Sequence, residues 1–453
     1  LREEAAQEEA AAEQDRRRQR ELEAQLEAFR QETESPFRLD VFFEENASQD
    51  CGKCSPWGYP RLNRLREQLF LEALALHRAF VEGSRKLYDN LDGFGKLMRG
   101  MLTLPQADSH TATLFQSLFL LVPVVSTTFA SVGSFLRSLP AGEVAYLFID
   151  EAGQAVPQSA AGAVWRARKV IAVGDPLQIE PVVTLHDAVI EVLSQHFGQA
   201  PILGDKYTSV QTLADLANRL GGWRRIGQEQ ELWIGAPLVV HSRCQRRVFE
   251  IANRIAYNDK MIFATCPRPD AVCRWLDVRG SSRSGHYVPA QGEAAAPILA
   301  EAFLAFFAKA PGEHRYPSAF VITPFRSSRA GLAAHFRREL PRLLAEAGVD
   351  TASRAVKSCI REWVRDCVGT IHTFQGKEAD TVLLCLGVDS GGRGAGAVEW
   401  AGERPNILNV AVTRAKVRLY IIADREVWCR KGYFRTACEL CEGQGEERGE
   451  APV

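Results

Sequence analysis

The chain has no apolar run long enough to cross a membrane, no excess of charge of either sign and no short-period repeat. Its longest apolar stretch, Leu118-Phe-Leu-Leu-Val-Pro-Val-Val125, is interrupted by Pro123. It falls far below the roughly 20 residues that a spanning helix needs. The opening residues are acidic and charged, which excludes a secretory leader. Lysine and arginine total 55 against 56 acids, a net charge of −1, so no global field draws the chain to a polyanion. Any nucleic-acid contact must come from a local groove. The 11 cysteines are scattered and odd in number. That excludes a regular disulfide framework and points to free thiols in a reducing, cytoplasmic setting. Two pairs, Cys51/Cys54 and Cys438/Cys441, have the C-x-x-C spacing that could supply four thiolates to zinc. Residue 1 is Leu rather than Met, so the chain is expected to begin inside a longer protein.

What is present is ample for two or three globular domains: 453 residues, 46% hydrophobic and 25% charged. Residues 1–34 are dense in Glu, Gln, Ala and Arg, with Leu22, Leu26 and Phe29 on one helical stripe. An exposed helix is expected there, one arm of a coiled coil and a surface for a protein partner. Residues 37–58 read as irregular. Helical spacing returns from Pro60 to about Arg99, through Leu62, Leu65, Leu69, Ala73, Leu76 and Phe80. Residues 1–105 are therefore expected to form a helical insertion. Short runs apolar on both faces follow: Leu120–Ser126, Val144–Ile149 and Val170–Val173. A second series comprises Ala319–Ile322, Val368–Ile371, Thr381–Leu386 and Val417–Ile422. Such runs, separated by helical segments, predict parallel strands covered on both sides. The expectation is an α/β protein of two tandem parallel-sheet domains, 106–235 and 236–435, ending in a flexible tail over 436–453.

Chemistry concentrates at strand ends. The run Tyr146-Leu-Phe-Ile-Asp-Glu-Ala-Gly-Gln154 closes on adjacent carboxylates. Val170-Ile-Ala-Val173 closes on Gly174-Asp-Pro-Leu-Gln-Ile-Glu-Pro181. Open α/β sheets bind ligands at the carboxyl ends of their strands. There one acid can hold Mg²⁺ through its water shell and the next can polarise an attacking water.

Taken with five further motifs in order, residues 120–430 resemble the motor core of a superfamily 1 helicase of the Upf-like, 5′-to-3′ type. In that family two RecA-like domains sandwich ATP and Mg²⁺, and single-stranded DNA or RNA crosses their top. Val124-Val-Ser-Thr-Thr-Phe-Ala130 is similar to a turn whose hydroxyls, here Thr127 and Thr128, meet the nucleic-acid backbone. Asp150-Glu-Ala-Gly-Gln154 resembles motif II, which implies magnesium on Asp150 and water activation by Glu151. Gly174-Asp-Pro-Leu-Gln178 resembles motif III, with Gly174 and Asp175 beside nucleotide and Gln178 reading the γ-phosphate. Val240-His-Ser-Arg-Cys-Gln-Arg-Arg-Val-Phe249 stands at motif IV, with Arg243 as its arginine. Ile322-Thr-Pro-Phe-Arg326 implies nucleic-acid contacts from Thr323, Pro324 and Arg326. Gly369-Thr-Ile-His-Thr-Phe-Gln-Gly-Lys-Glu378 resembles motif V. It implies Thr370 and Thr373 on the backbone, and Gln375, Gly376 and Glu378 near nucleotide. Asn406-Ile-Leu-Asn-Val-Ala-Val-Thr-Arg-Ala-Lys416 resembles motif VI, with Arg414 as the second arginine finger.

The pattern departs from the family at three places. Arg246-Arg247 stands where a proline-containing turn is commoner, and Ser327-Ser328 where a glutamine is common. No G-x-x-x-x-G-K-S/T loop occurs, although such a loop supplies the backbone N–H groups and lysine that hold phosphates. The nearest string, Gly93-Phe-Gly-Lys96, runs on into Leu97 within a helical segment. The loop is therefore expected upstream of Leu1. The resemblance implies an ATP-driven single-strand translocase or helicase. The alternative is a catalytically silent nucleic-acid-binding or assembly module that keeps the fold. No clustered Asp…Glu-x-Lys pattern supports a nuclease.

Overall fold

The computed structural model describes residues 2–33, 60–103, 109–198, 205, 207–226, 230–283, 285–308, 315–391 and 394–442. Cys51, Cys54 and the segment expected to be irregular lie outside them. The chain divides into two compact units, residues 1–127 with 138–140, and residues 128–137 with 141–453.

The first unit is helical. α1 spans Arg2–Thr33, α2 Pro60–Gly83, α3 Arg85–Met98 and α4 Ser109–Leu121. The expected helix from Pro60 to Arg99 is broken at Ser84, which takes an extended conformation ahead of α3. α3 packs on α4 through Phe94 and Phe115, whose rings meet edge to face at 5.2 Å. Asn90 Nδ2 donates to Ser117 Oγ across the same seam at 2.9 Å. The expected strand over Leu120–Ser126 does not form: Leu120 and Leu121 close α4, and residues 122–126 form neither helix nor strand. The apolar run is shared between a helix end and Pro123, which cannot donate to a strand ladder. Gly93-Phe-Gly-Lys96 lies inside α3, its amides committed to a helix.

The second unit begins with α5 (Phe129–Phe135), β1 (Val144–Asp150), α6 (Pro157–Arg166) and β2 (Ala167–Val173). β1 and β2 pair in parallel, Asp150 opposite Val173. The crossover helix α6 starts on Pro157 at its first turn, where a missing N–H costs nothing. These strands were expected to be covered on both faces. Among the described residues they are not: Tyr146 is 54% and Phe148 66% exposed. Two paired strands cannot by themselves enclose the alternating side chains of a parallel sheet. α7 (Asp187–His196), α8 (Val210–Ala217) and an antiparallel hairpin, β3 (Gly222–Ile226) with β4 (Gln230–Ile234), complete this part.

Further along come β5 (Val240–His241), α9 (Arg246–Ala256), β6 (Ile262–Phe263), β7 (Val272–Asp277), α10 (Pro289–Phe307), β8 (Ala319–Thr323), α11 (Arg326–Glu346) and α12 (Arg354–Cys367). They are followed by β9 (Val368–Thr370), β10 (Ala379–Cys385), α13 (Ala395–Gly402), α14 (Asn406–Thr413), β11 (Ala415–Ala423), α15 (Arg425–Trp428) and α16 (Gly432–Glu442). Five strands form one parallel sheet in the order β7-β11-β10-β8-β9. β7, which has little sequence signal, pairs along its whole length with β11. Side chains alternate between two cores. Val382, Leu384, Leu419 and Ile421 face the one built on α9, α14 and α16. Leu383, Cys385 and Ile422 face the other, built on α10, α11 and α12. Both faces are covered, as continuous apolar strands require.

The expected tail is shorter than supposed. Residues 436–442 belong to α16, and Phe434, Ala437, Cys438 and Cys441 are buried. Cys441 Sγ meets Cys273 Sγ of β7 at 3.2 Å. Among the described residues no group of three or more His, Cys, Asp or Glu side chains is placed to hold a metal. No described helix is long and apolar enough to cross a membrane.

Trp363 of α12 is fully buried, and its indole Nε1 donates to Ala319 O at 2.9 Å, tying the helix to β8. Trp363→Ala is expected to cost about 3–5 kcal/mol of unfolding free energy. Urea denaturation measures it, and a loss under about 1 kcal/mol contradicts this account of the core.

Candidate active site

Both paired strands of the first α/β part end on the residues picked out by sequence. Asp150 is the last residue of β1, and its Oδ1 accepts the Glu151 N–H at 2.9 Å. Glu151 then turns into the left-handed region, φ 53° and ψ 39°. That conformation is uncommon without glycine and costs on the order of 1–3 kcal/mol, a cost often met at functional sites. It ends the strand abruptly and separates the directions of the two carboxylates. Glu151 Oε2 accepts from Gln154 Nε2 at 3.1 Å and from Gln375 Nε2 at 3.3 Å. Gln375 follows β9, so a residue of the five-stranded body reaches the acid at the end of β1.

β2 runs into Gly174 and Asp175. A Cβ on Gly174 would lie 2.7 Å from Gly153 N and 2.8 Å from Ala152 N. A Cβ on Gly153 would lie 2.8 Å from Asp175 O. The two loops pass backbone against backbone, an approach that only glycine permits. Asp175 is then a hub: Oδ1 accepts the Leu177 N–H at 2.8 Å, and Oδ2 accepts from Gln178 Nε2 at 3.1 Å and from Tyr257 Oη. Burial first, and the Asp175 charge next, push the Tyr257 phenol well above its ordinary pKa, so it stays a donor.

The five-stranded body holds the whole Pro176–Glu180 turn. Asn409 Nδ2 donates to Leu177 O at 2.9 Å and to Tyr257 Oη at 3.0 Å. Asn406 Nδ2 donates to Gln178 O and Pro176 O. Arg404 forms an ion pair with Glu180 and lies 3.9 Å from the centre of the Tyr207 ring. Arg414, only 2% exposed, donates from Nη2 to Gln178 Oε1 at 3.3 Å and from Nη1 to Lys377 O at 3.1 Å. Burial, then the nearby Arg243 charge, lower its pKa, and Glu151 opposes them. Glu151, Gln178 and Arg414 thus share one crevice.

Arg243 is half-exposed and paired with Glu378 at 3.1 Å, where Lys416 also joins at 3.2 Å. Its turn is held by His241, whose Nε2 accepts the Cys244 N–H at 2.9 Å. Gly376, φ +72°, places its backbone near Glu151.

The residues expected at a nucleic-acid backbone are less uniform. Thr370 and Thr373 hydroxyls lie 3.3 Å apart. Arg326 is exposed at the start of α11. Thr128 is exposed at the start of α5, its Oγ1 donating to Ser131 Oγ at 3.3 Å. Thr127 is exposed too and belongs to the first compact unit. Thr323 corrects the expectation: it is fully buried at the end of β8, because that strand is internal to the sheet. Pro324, also buried, lines a cavity of about 220 Å³ with Ile371, His372 and Trp400.

Sequence reasoning missed Tyr257 and assigned no role to Asn406 or Asn409. The asparagines were legible as polar residues three apart on an otherwise apolar helix, a pattern that demands a buried partner. Tyr257 carried no local signal, since its role exists only through Asp175 and Asn409.

Residues 2–185 match one AAA domain family and residues 238–426 match a second. None of the curated proteins matches the chain. Among solved structures, the PRRSV helicase is 13% identical, covering 61% of this chain and 34% of its own, with a TM-score of 0.28. Arterivirus nonstructural protein 10 (helicase) is 15% identical over 62% of this chain and 40% of its own, with a TM-score of 0.27. Its complex with DNA gives 14%, 63%, 41% and 0.28. The chain spans less than half the length of these helicases.

Burial, with Arg243 adding to it, lowers His241 to a pKa of about 4, against an ordinary value near 6.5. Between those values the unfolded chain binds the extra proton, so this contribution to stability is present above pH 6.5 and is lost as pH falls toward 4. His241→Gln, which keeps an acceptor for Cys244 N–H, is expected to flatten the fall in melting temperature over that window. Identical slopes for variant and wild type would remove His241 from this role.

Proposed function

The chain belongs to the superfamily 1 helicases of the Upf-like type, with two AAA domains in tandem, and on that footing we propose that it is an ATP-driven motor on single-stranded nucleic acid. The observation that carries this reading is the meeting of Arg414 with Gln178 and of Gln375 with Glu151. Acids from the first α/β part and a buried guanidinium from the second face one crevice, the arrangement that couples closure to phosphoryl transfer.

The donor set fits the γ-phosphate end of Mg²⁺-ATP. Asp150 accepts one hydrogen bond on Oδ1 and ends an exposed strand edge, so it would hold magnesium through its water shell. Glu151, steadied by two glutamine amides, would take a proton from the attacking water. Gln178, set by Asp175 and Arg414, would orient that water or a phosphate oxygen. Arg414, and Arg243 once freed from Glu378, would neutralise charge that builds on the transferring group. Bound Mg²⁺-ATP supplies the phosphoanhydride to be cleaved. The phosphate-cradling loop is not among these groups, because the nearest glycine–lysine string is helical. ATP binding by residues 1–453 alone is therefore expected to be weak.

Single-stranded DNA or RNA would run over Thr128, Arg326, Thr370 and Thr373, which offer hydroxyls and a cation at turns and helix starts. Such contacts hold backbone and carry no base sequence. The second reading, a silent binding module, rests on the same missing loop and predicts strand binding without turnover.

In the full-length protein Glu151→Gln is expected to abolish ATP turnover while sparing nucleotide binding, measured by steady-state phosphate release and nucleotide titration. Unchanged turnover would sink the role given to Glu151. Arg414→Ala is expected to slow hydrolysis by about 10³-fold or more, with single-strand affinity little altered. Equal loss of both assigns Arg414 to binding instead. A wild-type protein that binds strand and never hydrolyses ATP selects the silent module.

A further inference from the structure

Trp400 has no role in the crevice described above, yet it stands beside it. It lies on α13, whose other side buries Val398, Ala401 and Gly402. Trp400 itself is 50% exposed. An exposed indole of this size is informative where it has been fixed in place rather than scattered on a surface. Its support is aromatic: the Phe325 ring centre is 6.1 Å away, and Phe325 in turn lies 4.3 Å from His286. Phe325 is buried and belongs to the Thr323-Pro-Phe-Arg326 turn at the end of β8. The indole is thus held from behind by the very turn that the sequence places at nucleic acid, and its open side meets solvent.

In front of it lies the cavity of about 220 Å³ that Pro324, Ile371 and His372 also line. Tyr207 and Arg404 line it as well. That volume is below the roughly 300–1,000 Å³ of a pocket for a drug-sized ligand, which suits a single flat ring system rather than a whole nucleotide. Thr370 and Thr373 flank Ile371 and His372 in the chain, so a strand backbone resting on those hydroxyls would pass beside this cavity.

We propose that Trp400 is a stacking platform for one unpaired base of the bound single strand. This rests on the nucleic-acid reading above and extends it by naming the residue that holds a base. A planar indole stacks on any base, so the contact strengthens binding without selecting sequence.

The test uses fluorescence anisotropy with a single-stranded oligothymidylate, without ATP, on the full chain. Trp400→Ala is expected to weaken binding by roughly 5- to 150-fold, the range for loss of one base–aromatic stack. Trp400→Phe retains most of the affinity, and both variants keep the wild-type melting temperature. One abasic position, moved along the oligonucleotide, is expected to weaken wild type at a single register and to add nothing in Trp400→Ala. Equal affinity of Trp400→Ala and wild type overturns the proposal while leaving strand binding intact. So does an equal loss on a fully abasic strand, which would assign Trp400 to the backbone. Weakened ATP binding with unchanged oligonucleotide binding moves the indole to the adenine of the nucleotide and also overturns it. A wild-type chain that binds no single strand removes the nucleic-acid reading itself.

Discussion

The structure of the site hangs on one clasp, the grip of the five-stranded body on the Asp175–Glu180 turn. Tyr257 and Asn409 form its centre, with Asp175 at one end and the Leu177 carbonyl at the other. Hydrogen bonds to a carboxylate, here the partly buried Asp175, are stronger than those between neutral groups. The turn is therefore held in one conformation, and Gln178 with it. Arg414 completes the clasp from a position where burial has removed water as a competing partner.

Around that clasp the two parts are built unequally. The five-stranded sheet is covered on both faces and is held by interior residues such as Trp363 and Trp428. The β1–β2 pair leaves Tyr146 and Phe148 in solvent among the described residues. Rigidity in the crevice is accordingly supplied from the second body. Its helix α14 presents Asn406 and Asn409, with Arg414 just past its last residue, and apolar neighbours are buried behind them. The first part contributes the acids, at strand ends where backbone geometry alone sets their direction. A strained Glu151 and the close approach of Gly153 and Gly174 set it.

The two arginines of the crevice are held in different ways. Arg243 rests on Glu378 with Lys416 beside it, in a half-exposed setting where an ion pair is worth little. An anion in the crevice can compete for that guanidinium at small cost. Arg414 is different: its backbone acceptors, Val410 O and Lys377 O, leave it no freedom to swing. One arginine is placed and the other is available, although the sequence marks both as fingers.

Much was legible from local pattern. Seven runs were read as strands and six are, because an apolar run bounded by turn residues has few other ways to satisfy its backbone. The exception, Leu120–Ser126, carried Pro123 and a helical approach, and local pattern could not weigh one against the other. β7 escaped notice because an edge strand need not be apolar on both faces. Asp150, Glu151, Gln178 and Arg414 were picked out by resemblance to motifs, and the structure sets Arg414 against Gln178 and Gln375 against Glu151. Thr323 was misplaced because a threonine at a strand end looks the same whether its strand is internal or at an edge.

By itself, then, the sequence determined most of the strands and helices and which acids and cations stand at their ends, since those follow from period and residue type. Tertiary structure alone decided that Tyr257, 82 positions from Asp175, donates to it, that Thr323 is sealed inside the sheet and that Trp400 is left half-exposed on the cavity beside the crevice. Those outcomes depend on which elements become neighbours, and neighbourhood between distant segments is set by packing and sheet order, which no local window of residues contains.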